Sequence, residues 1–243
     1  MGIHCAYFDT ENGSKIMLPR MIALESGLTI DEIEKGTYLG NKEKEYKVKM
    51  ALKFWKEAKF NYIYDPRWSS EKIYTIAKTL KYHRKDFDLG FLVFDYIKDT
   101  GSADFSGDRV NYSLGNFTSF LKNNVAGELD IPICSGAQMS PGQMKIADSD
   151  GFNKFASVVA YWYAKTKDEI ETSQRDGNCK LVIDYNRFGS QMDKETEFIN
   201  FHFKKKINLI EAAEDKHQPF LEAEVYEEET AFQETDPDSE EDF

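Results

Sequence analysis

The chain alternates short apolar runs with segments whose apolar positions recur at helical spacing. Residues 3–8, Ile-His-Cys-Ala-Tyr-Phe, read as a buried strand, and a polar turn follows from Asp9 to Ser14. Residues 15–26 read as a helix in which Pro19 must either sit in a first turn or kink the axis. Gly27 and Gly36 punctuate a short connection, and 42–59 forms a charged helix with Tyr46, Leu52, Trp55 and Ala58 as its expected buried side. Residues 61–64 make a strand stopped by Asp65-Pro66. Ser69 and Ser70 offer an N-cap, after which Ile73, Ile76, Ala77 and Leu80 fall at i, i+3, i+4 and i+7.

The second half continues the alternation. Strand 90–97 is followed by a Gly/Ser/Asp loop over 99–110 and a helix marked by Leu114, Phe117, Leu121 and Val125. Then come strand 131–134, a loop at 139–150 and strand 158–163, with 180–185 and 196–203 as closing strands. Strands alternating with helices imply an α/β fold with a mainly parallel sheet covered on both faces. The closing strands lack helices and are expected to add an antiparallel edge.

Composition changes this picture mainly at the end. The 243 residues carry a net charge of −12, but residues 211–243 hold fourteen acids against one lysine. The body is thus near neutrality and the tail is the acidic object, so the acidic total does not argue against nucleic acid as a partner of the body. The division expected is a folded unit over 1–210 and a disordered acidic tail over 211–243. Cys5, Cys134 and Cys179 are scattered, which suits a reducing compartment; Cys5 and Cys134 are read as small buried hydrophobes. His4, Cys5 and His202 lack ligand spacing for zinc. No apolar run has the length of a membrane span and no secretory leader is seen, so a cytoplasmic location is expected.

The candidate chemistry lies at strand ends. Glu11 follows the first strand and Asp95 closes Leu92-Val93-Phe94-Asp95-Tyr96. Acids at the C-terminal ends of buried strands are where open α/β sheets place ligand chemistry. No G-x-x-x-x-G-K-[ST] loop occurs in these 243 residues.

These segments, with Ala137-Gln138-Met139-Ser140, Asp148-Ser149-Asp150-Gly151 and Asn186-Arg187-Phe188-Gly189, resemble in order and spacing the RecA-like motor domain of bacterial and phage replicative helicases of the DnaB type. The resemblance spans about 3–210 and lacks the family's first strand, its P-loop and its amino-terminal helical domain. A lysine often found two residues before the family's finger arginine is Tyr185 here, and the glycine of the Glu-Ser-Gly stretch is Asp150.

The resemblance implies a RecA-like fold truncated at its amino end and an ATP- and Mg²⁺-dependent DNA helicase, translocating on single-stranded DNA as a homo-oligomeric, hexameric ring. Asp95 would hold Mg²⁺ through water, Glu11 polarise the attacking water, Gln138 sense the γ-phosphate and Arg187 reach a neighbour's nucleotide. Lys98, Lys145, Asp148, Ser149 and Asp150 would line the DNA channel, although Lys145 could equally be a solvated surface lysine. The isolated chain is expected to be inactive without a P-loop-bearing partner fragment. Primase, a helicase loader or a single-strand binding protein are further partners the resemblance suggests, in a host cytoplasm if the chain is phage-encoded. The competing readings are a non-catalytic RecA-like subunit or interaction module, and a recombinase-like ATPase.

Overall fold

A computed structural model describes residues 2–98, 110–138, 150–172, 176–193 and 196–213. Residues 99–109 and 139–149, which include the candidate DNA-channel residues Lys145, Asp148 and Ser149, and the acidic tail beyond 213 lie outside the described residues.

Four strands form a parallel sheet: β1 (His4–Asp9), β2 (Phe60–Tyr64), β3 (Leu89–Ile97) and β4 (Ile133–Ala137), in the order β2-β1-β3-β4. The helices that cross between them are α1 (Gly13–Ser26), α2 (Ile30–Lys35), α3 (Lys42–Glu57), α4 (Ser70–Tyr82) and α5 (Val110–Phe120), the last continuing as a wider π turn through Gly127. Gly27 and Gly36 stop α1 and α2 in the left-handed conformation, at φ 71° and 67°. Pro19 lies inside α1 rather than in its first turn.

Beyond a short α6 (Asp150–Phe155), the remaining strands do not extend this sheet. β5 (Val158–Ala164), β6 (Cys179–Asn186), β7 (Ile199–Lys204) and β8 (Leu209–Ala212) form a separate antiparallel sheet, with α7 (Lys167–Thr172) between β5 and β6. The expected antiparallel edge is thus a second sheet. It holds one strand more than expected, because β8 places Glu211 and Ala212 against β7.

The main core lies between the parallel sheet and α4 and α5. Ile73, Ala77 and Leu80 bury the expected face of α4 against Leu89, Leu92 and Phe94. Trp68 is fully buried, stacks on Phe8 at 4.6 Å between ring centres and donates from Nε1 to the Asp9 carbonyl at 3.0 Å. A smaller core joins Ile22 and Leu28 to Val48 and Ala51.

That second core corrects the expected face of α3. Tyr46 and Leu52 are exposed; the inward positions are Val48, Ala51 and the half-buried Trp55, whose Nε1 donates to the Met21 carbonyl at 2.9 Å. Spacings of three and four residues connect these positions into one face toward α1, and Tyr46 and Leu52 fall outside it. Cys134 is a second correction. It is exposed and Cys5 half-buried, while Cys179 is the buried thiol; among the described residues β4 is hydrogen-bonded to β3 alone. Among the described residues, no helix is long and apolar enough to cross a membrane.

Candidate functional site

The C-terminal ends of β1 and β3 bring Asp9 and Asp95 opposite one another in register. Asp9 is fully buried despite its charge. Its Oδ1 accepts from the backbone N–H of Glu11 at 2.7 Å and of Asn12 at 2.9 Å, and its Oδ2 accepts from the Tyr62 hydroxyl at 2.8 Å. Its carbonyl takes the N–H groups of Asp65 and Trp68, both at 3.0 Å. A buried carboxylate is tolerated when its oxygens are satisfied in this way. Asp9 thereby fixes the turn out of β1, and the turn carries Glu11 to the surface.

Asp95 accepts a short hydrogen bond from the Tyr7 hydroxyl across the β1–β3 pair. Its carbonyl accepts from Thr10 N–H at 2.8 Å, and Thr10 Oγ1 in turn accepts from Tyr96 N–H at 3.3 Å. Thr10 is buried, so these bonds tie the two strand ends together where no ladder pairing continues. The Asp95–Tyr96 peptide is cis.

The site is strongly acidic, and its tyrosines record that. Burial, the hydrogen bond to Asp95 and the charges of Asp95 and Asp9 push the Tyr7 phenol far above its ordinary range. Burial and the bond to Asp9 do the same to Tyr62. Burial, Glu11 and Asp95 raise Tyr96. Both Tyr7 and Tyr62 therefore stay protonated and act as hydrogen-bond donors to the carboxylates.

Gln138 follows β4 directly and is exposed. The end of β4 lies against Asp95: a Cβ built on Gly136 would sit 4.0 Å from Asp95 Oδ1 and 3.3 Å from Tyr96 Cβ. Glu11, Asp95 and Gln138 thus stand at the same end of three consecutive strands, β1, β3 and β4. Lys98 follows β3 with its Nζ 5.1 Å from the centre of the Tyr96 ring. Arg187 is not part of this group. It follows β6 in the second sheet, exposed, with Nη2 donating to the Lys154 carbonyl at 3.1 Å and its N–H to the Ser157 carbonyl at 2.8 Å. Asp150 begins α6.

Sequence reasoning does not single out Asp9 and Tyr7, whose hydrogen bonds hold the Glu11 turn and the Asp95 carboxylate. Asp9 does carry a local signal, an acid at the last position of an apolar run, but it also opens the polar turn to Ser14. Nothing local marks Tyr7, whose partner is 88 residues away. Among the described residues no cluster of three His, Cys, Asp or Glu side chains is arranged to hold a metal. A single carboxylate such as Asp95 suits Mg²⁺, which keeps several waters and takes its other ligands from phosphate.

The family model of the DnaB-like helicase C terminal domain matches residues 1–208. No curated protein matches the chain. Two solved structures have a similar fold. The ATPase domain of G40P superposes with a TM-score of 0.70 at 15% identity, over 87% of this chain and 75% of that domain. A DnaB-like replicative helicase, solved in a study of its interactions with primase, superposes with a TM-score of 0.67 at 15% identity, over 86% of this chain and 50% of its own. This chain therefore spans half the length of that helicase. With a family match over most of its residues and acids grouped at the C-terminal end of a parallel sheet, the chain belongs to the DnaB-like helicase C-terminal domain family.

Proposed function

We propose that the chain forms the acid-bearing part of a replicative helicase motor, which couples ATP hydrolysis to movement on single-stranded DNA within a hexameric ring. The observation that carries this is the alignment of Glu11, Asp95 and Gln138 at one end of β1, β3 and β4. Buried Asp9 holds the Glu11 turn, and Tyr7 orients Asp95.

In this reading Asp95 would hold Mg²⁺ through water, and the ion would supply neutralisation of phosphate charge. Glu11, exposed beside it, accepts a hydrogen bond from the attacking water and takes its proton. Gln138, which directly precedes the undescribed 139–149 segment, reports the γ-phosphate to the DNA-binding residues. Arg187 stands apart from the acids in the second sheet, as a residue serving a neighbouring subunit's nucleotide would. A planar guanidinium matches charge spread over phosphoryl oxygens. Lys98, Lys145 and the stretch Asp148, Ser149, Asp150 are the candidates for contact with the DNA backbone, a grip that does not depend on base sequence. Primase, a loader and single-strand binding protein are candidate partners.

The phosphate cradle must come from a segment carrying G-x-x-x-x-G-K-[ST], absent from these 243 residues. The test is DNA-stimulated ATP turnover by the purified chain, alone and mixed with such a fragment. Turnover only in the mixture, abolished by Asp95→Ala and by Glu11→Gln, supports the reading. Equal turnover by the chain alone, or none in the mixture, overturns it.

A further inference from the structure

The exposed turn that follows β6 is held from inside. The strand ends at Asn186, and Arg187, Phe188, Gly189 and Ser190 after it are all exposed. The chain then returns beside β6, where Met192 N–H donates to the Ile183 carbonyl at 2.9 Å. An exposed connection of this kind has few packing contacts and is ordinarily the least ordered part of a sheet. Here a side chain supplies the order. Asn186 Oδ1 accepts from Phe188 N–H at 3.1 Å, and its Nδ2 donates to the Ser190 carbonyl at 3.4 Å. The half-buried amide thus bridges both halves of the turn, as asparagine does where its side chain stands in for a backbone turn.

Gly189 completes the arrangement. A Cβ at this position would sit 2.7 Å from Asn186 Nδ2 and 3.6 Å from its Cγ. The backbone of Gly189 is not in the left-handed region, so what the position demands is space and not a special conformation. The amide and the missing side chain interlock.

Arg187 sits between these anchors. Its N–H donates to the Ser157 carbonyl at 2.8 Å, which ties it to the start of β5. Among the described residues its guanidinium makes one bond, from Nη2 to the Lys154 carbonyl at 3.1 Å, in an exposed position. The main chain of Arg187 is therefore fixed on both sides. The guanidinium is held only by a neutral carbonyl, a bond readily exchanged for a stronger one to a charged phosphoryl oxygen. A fixed base with a movable tip is what a residue needs when it must reach another subunit's nucleotide. Misplacement by about 1 Å at a reacting centre can cost ~10²-fold in rate.

We propose that Asn186 is a positioning residue for Arg187: its amide sets the shape of the turn, and hence the place where the guanidinium meets a neighbouring subunit's phosphates, and Gly189 lacks a side chain so that the amide fits. This rests on the proposed function and adds to it the residues that aim the arginine. Asn186 touches neither nucleotide nor DNA in this role. It closes an exposed turn at the end of one strand, so its loss reaches the chemistry before it reaches the fold.

The test compares Asn186→Ala, Gly189→Ala and the double variant, in the full chain and in the mixture with a P-loop-bearing fragment. In the chain alone, amide exchange at Phe188 should quicken by about three- to tenfold in each single variant. Exchange at Val182 and the melting temperature should stay as in the parent. In the mixture, Asn186→Ala should lower kcat by ~10- to 100-fold with KM for ATP unchanged, the pattern of an interaction made only in the transition state. Gly189→Ala should do the same by pushing the amide out. The double variant should be no slower than Asn186→Ala, because the clash is with an amide that is gone. In an Arg187→Ala background Asn186→Ala should add no loss, since nothing remains to be aimed. Unchanged kcat in Asn186→Ala, a further loss on top of Arg187→Ala, or a fall in melting temperature that accompanies the loss of rate overturns the proposal. Additive losses in the double variant overturn the part given to Gly189. The two readings fail differently: no turnover by the parent mixture overturns the motor reading and the positioning role with it, whereas parent turnover that Asn186→Ala leaves intact overturns the positioning role alone.

Discussion

Tyr7 donates its hydroxyl hydrogen to the Asp95 carboxylate from the neighbouring strand, and Tyr62 does the same for Asp9 from the strand on the other side. Two phenols thus hold two carboxylates at the end of the sheet. Both phenols have raised pKa values, so the stability they contribute is fully present below about pH 10, the unfolded phenol value. It is lost as pH rises from there toward the folded values. Denaturant melts should show stability falling above pH 10, and the double variant Tyr7→Phe, Tyr62→Phe should fall less steeply. Equal slopes for the two proteins would contradict this account of the site.

The acid limb involves a different pair. Glu169 accepts from Lys180 Nζ and from Thr166 N–H, and these bonds hold its carboxyl down to about 2. Its contribution is present above about pH 4.5 and is lost as pH falls through that range toward 2. Because the pair is partly exposed, the effect is small. Glu169→Gln should remove part of the pH dependence of the melting temperature between pH 5 and 2 (about the range the two pKa values bound) and leave the value near neutrality little altered. A variant as acid-sensitive as the parent would show that the pair does not contribute.

Trp68 locks the end of β1. Trp68→Phe keeps most of the stacking on Phe8 but deletes the bond to the Asp9 carbonyl, and should cost about 1 kcal/mol in urea melts. Trp68→Ala should cost about 3–5 kcal/mol, because a fully buried indole leaves a cavity. If the two variants were equally stable, packing around Trp68 would not be what secures the strand end.

Mixed rings can separate the roles of Arg187 and Glu11. Arg187→Ala in every subunit should lower turnover by about 10³-fold or more in the fragment-complemented motor. Subunits carrying Arg187→Ala mixed with subunits carrying Glu11→Gln should recover measurable turnover at interfaces that pair an intact Glu11 with an intact Arg187. The motivation is the separation of Arg187, in the second sheet, from the acid group. Mixtures as inactive as the parent variants would place both residues in one subunit's site.

What could be read along the chain was whatever depends on near neighbours. The periodicity of Ile73, Ala77 and Leu80 predicts the buried face of α4, and apolar runs ending near Glu11 and at Asp95 predict the strands that carry them. What could not be read depends on pairing at long range. The face of α3 turns on where α1 lies, which decides between Ala51 and Leu52 as inward positions. The four residues of β8 are too few to announce a strand until β7 pairs with them. Asp9 and Glu11 look alike in sequence. Their division into a buried anchor and an exposed acid is set by Tyr62 and Trp68, more than fifty residues away. The exposure of Cys134 requires knowing that, among the described residues, β4 pairs with β3 alone.

The position of β8 also determines how the acidic tail should be tested. Glu211 pairs with Lys204 at 2.5 Å, and Ala213 N–H donates to the Asn200 carbonyl at 3.0 Å. A truncation at residue 210 would strip half of β8 from the second sheet, whereas one after Ala213 leaves it whole. Residues 214–243 still carry thirteen acids against one lysine. If this charge competes with DNA for Lys98 and the other basic groups, removing it should leave the melting temperature unchanged and strengthen single-stranded DNA binding. The gain should be largest at low salt and should shrink as the Debye length falls from about 30 Å at 0.01 M to about 10 Å at 0.1 M. Interleaved Phe220, Leu221, Tyr226, Phe232 and Phe243 suit a recruitment segment instead, and in that case the truncation changes partner capture and not DNA affinity. Titrations of both proteins with labelled single-stranded DNA across a salt series decide between them: superimposable curves exclude competition, and curves that converge only at high salt support it.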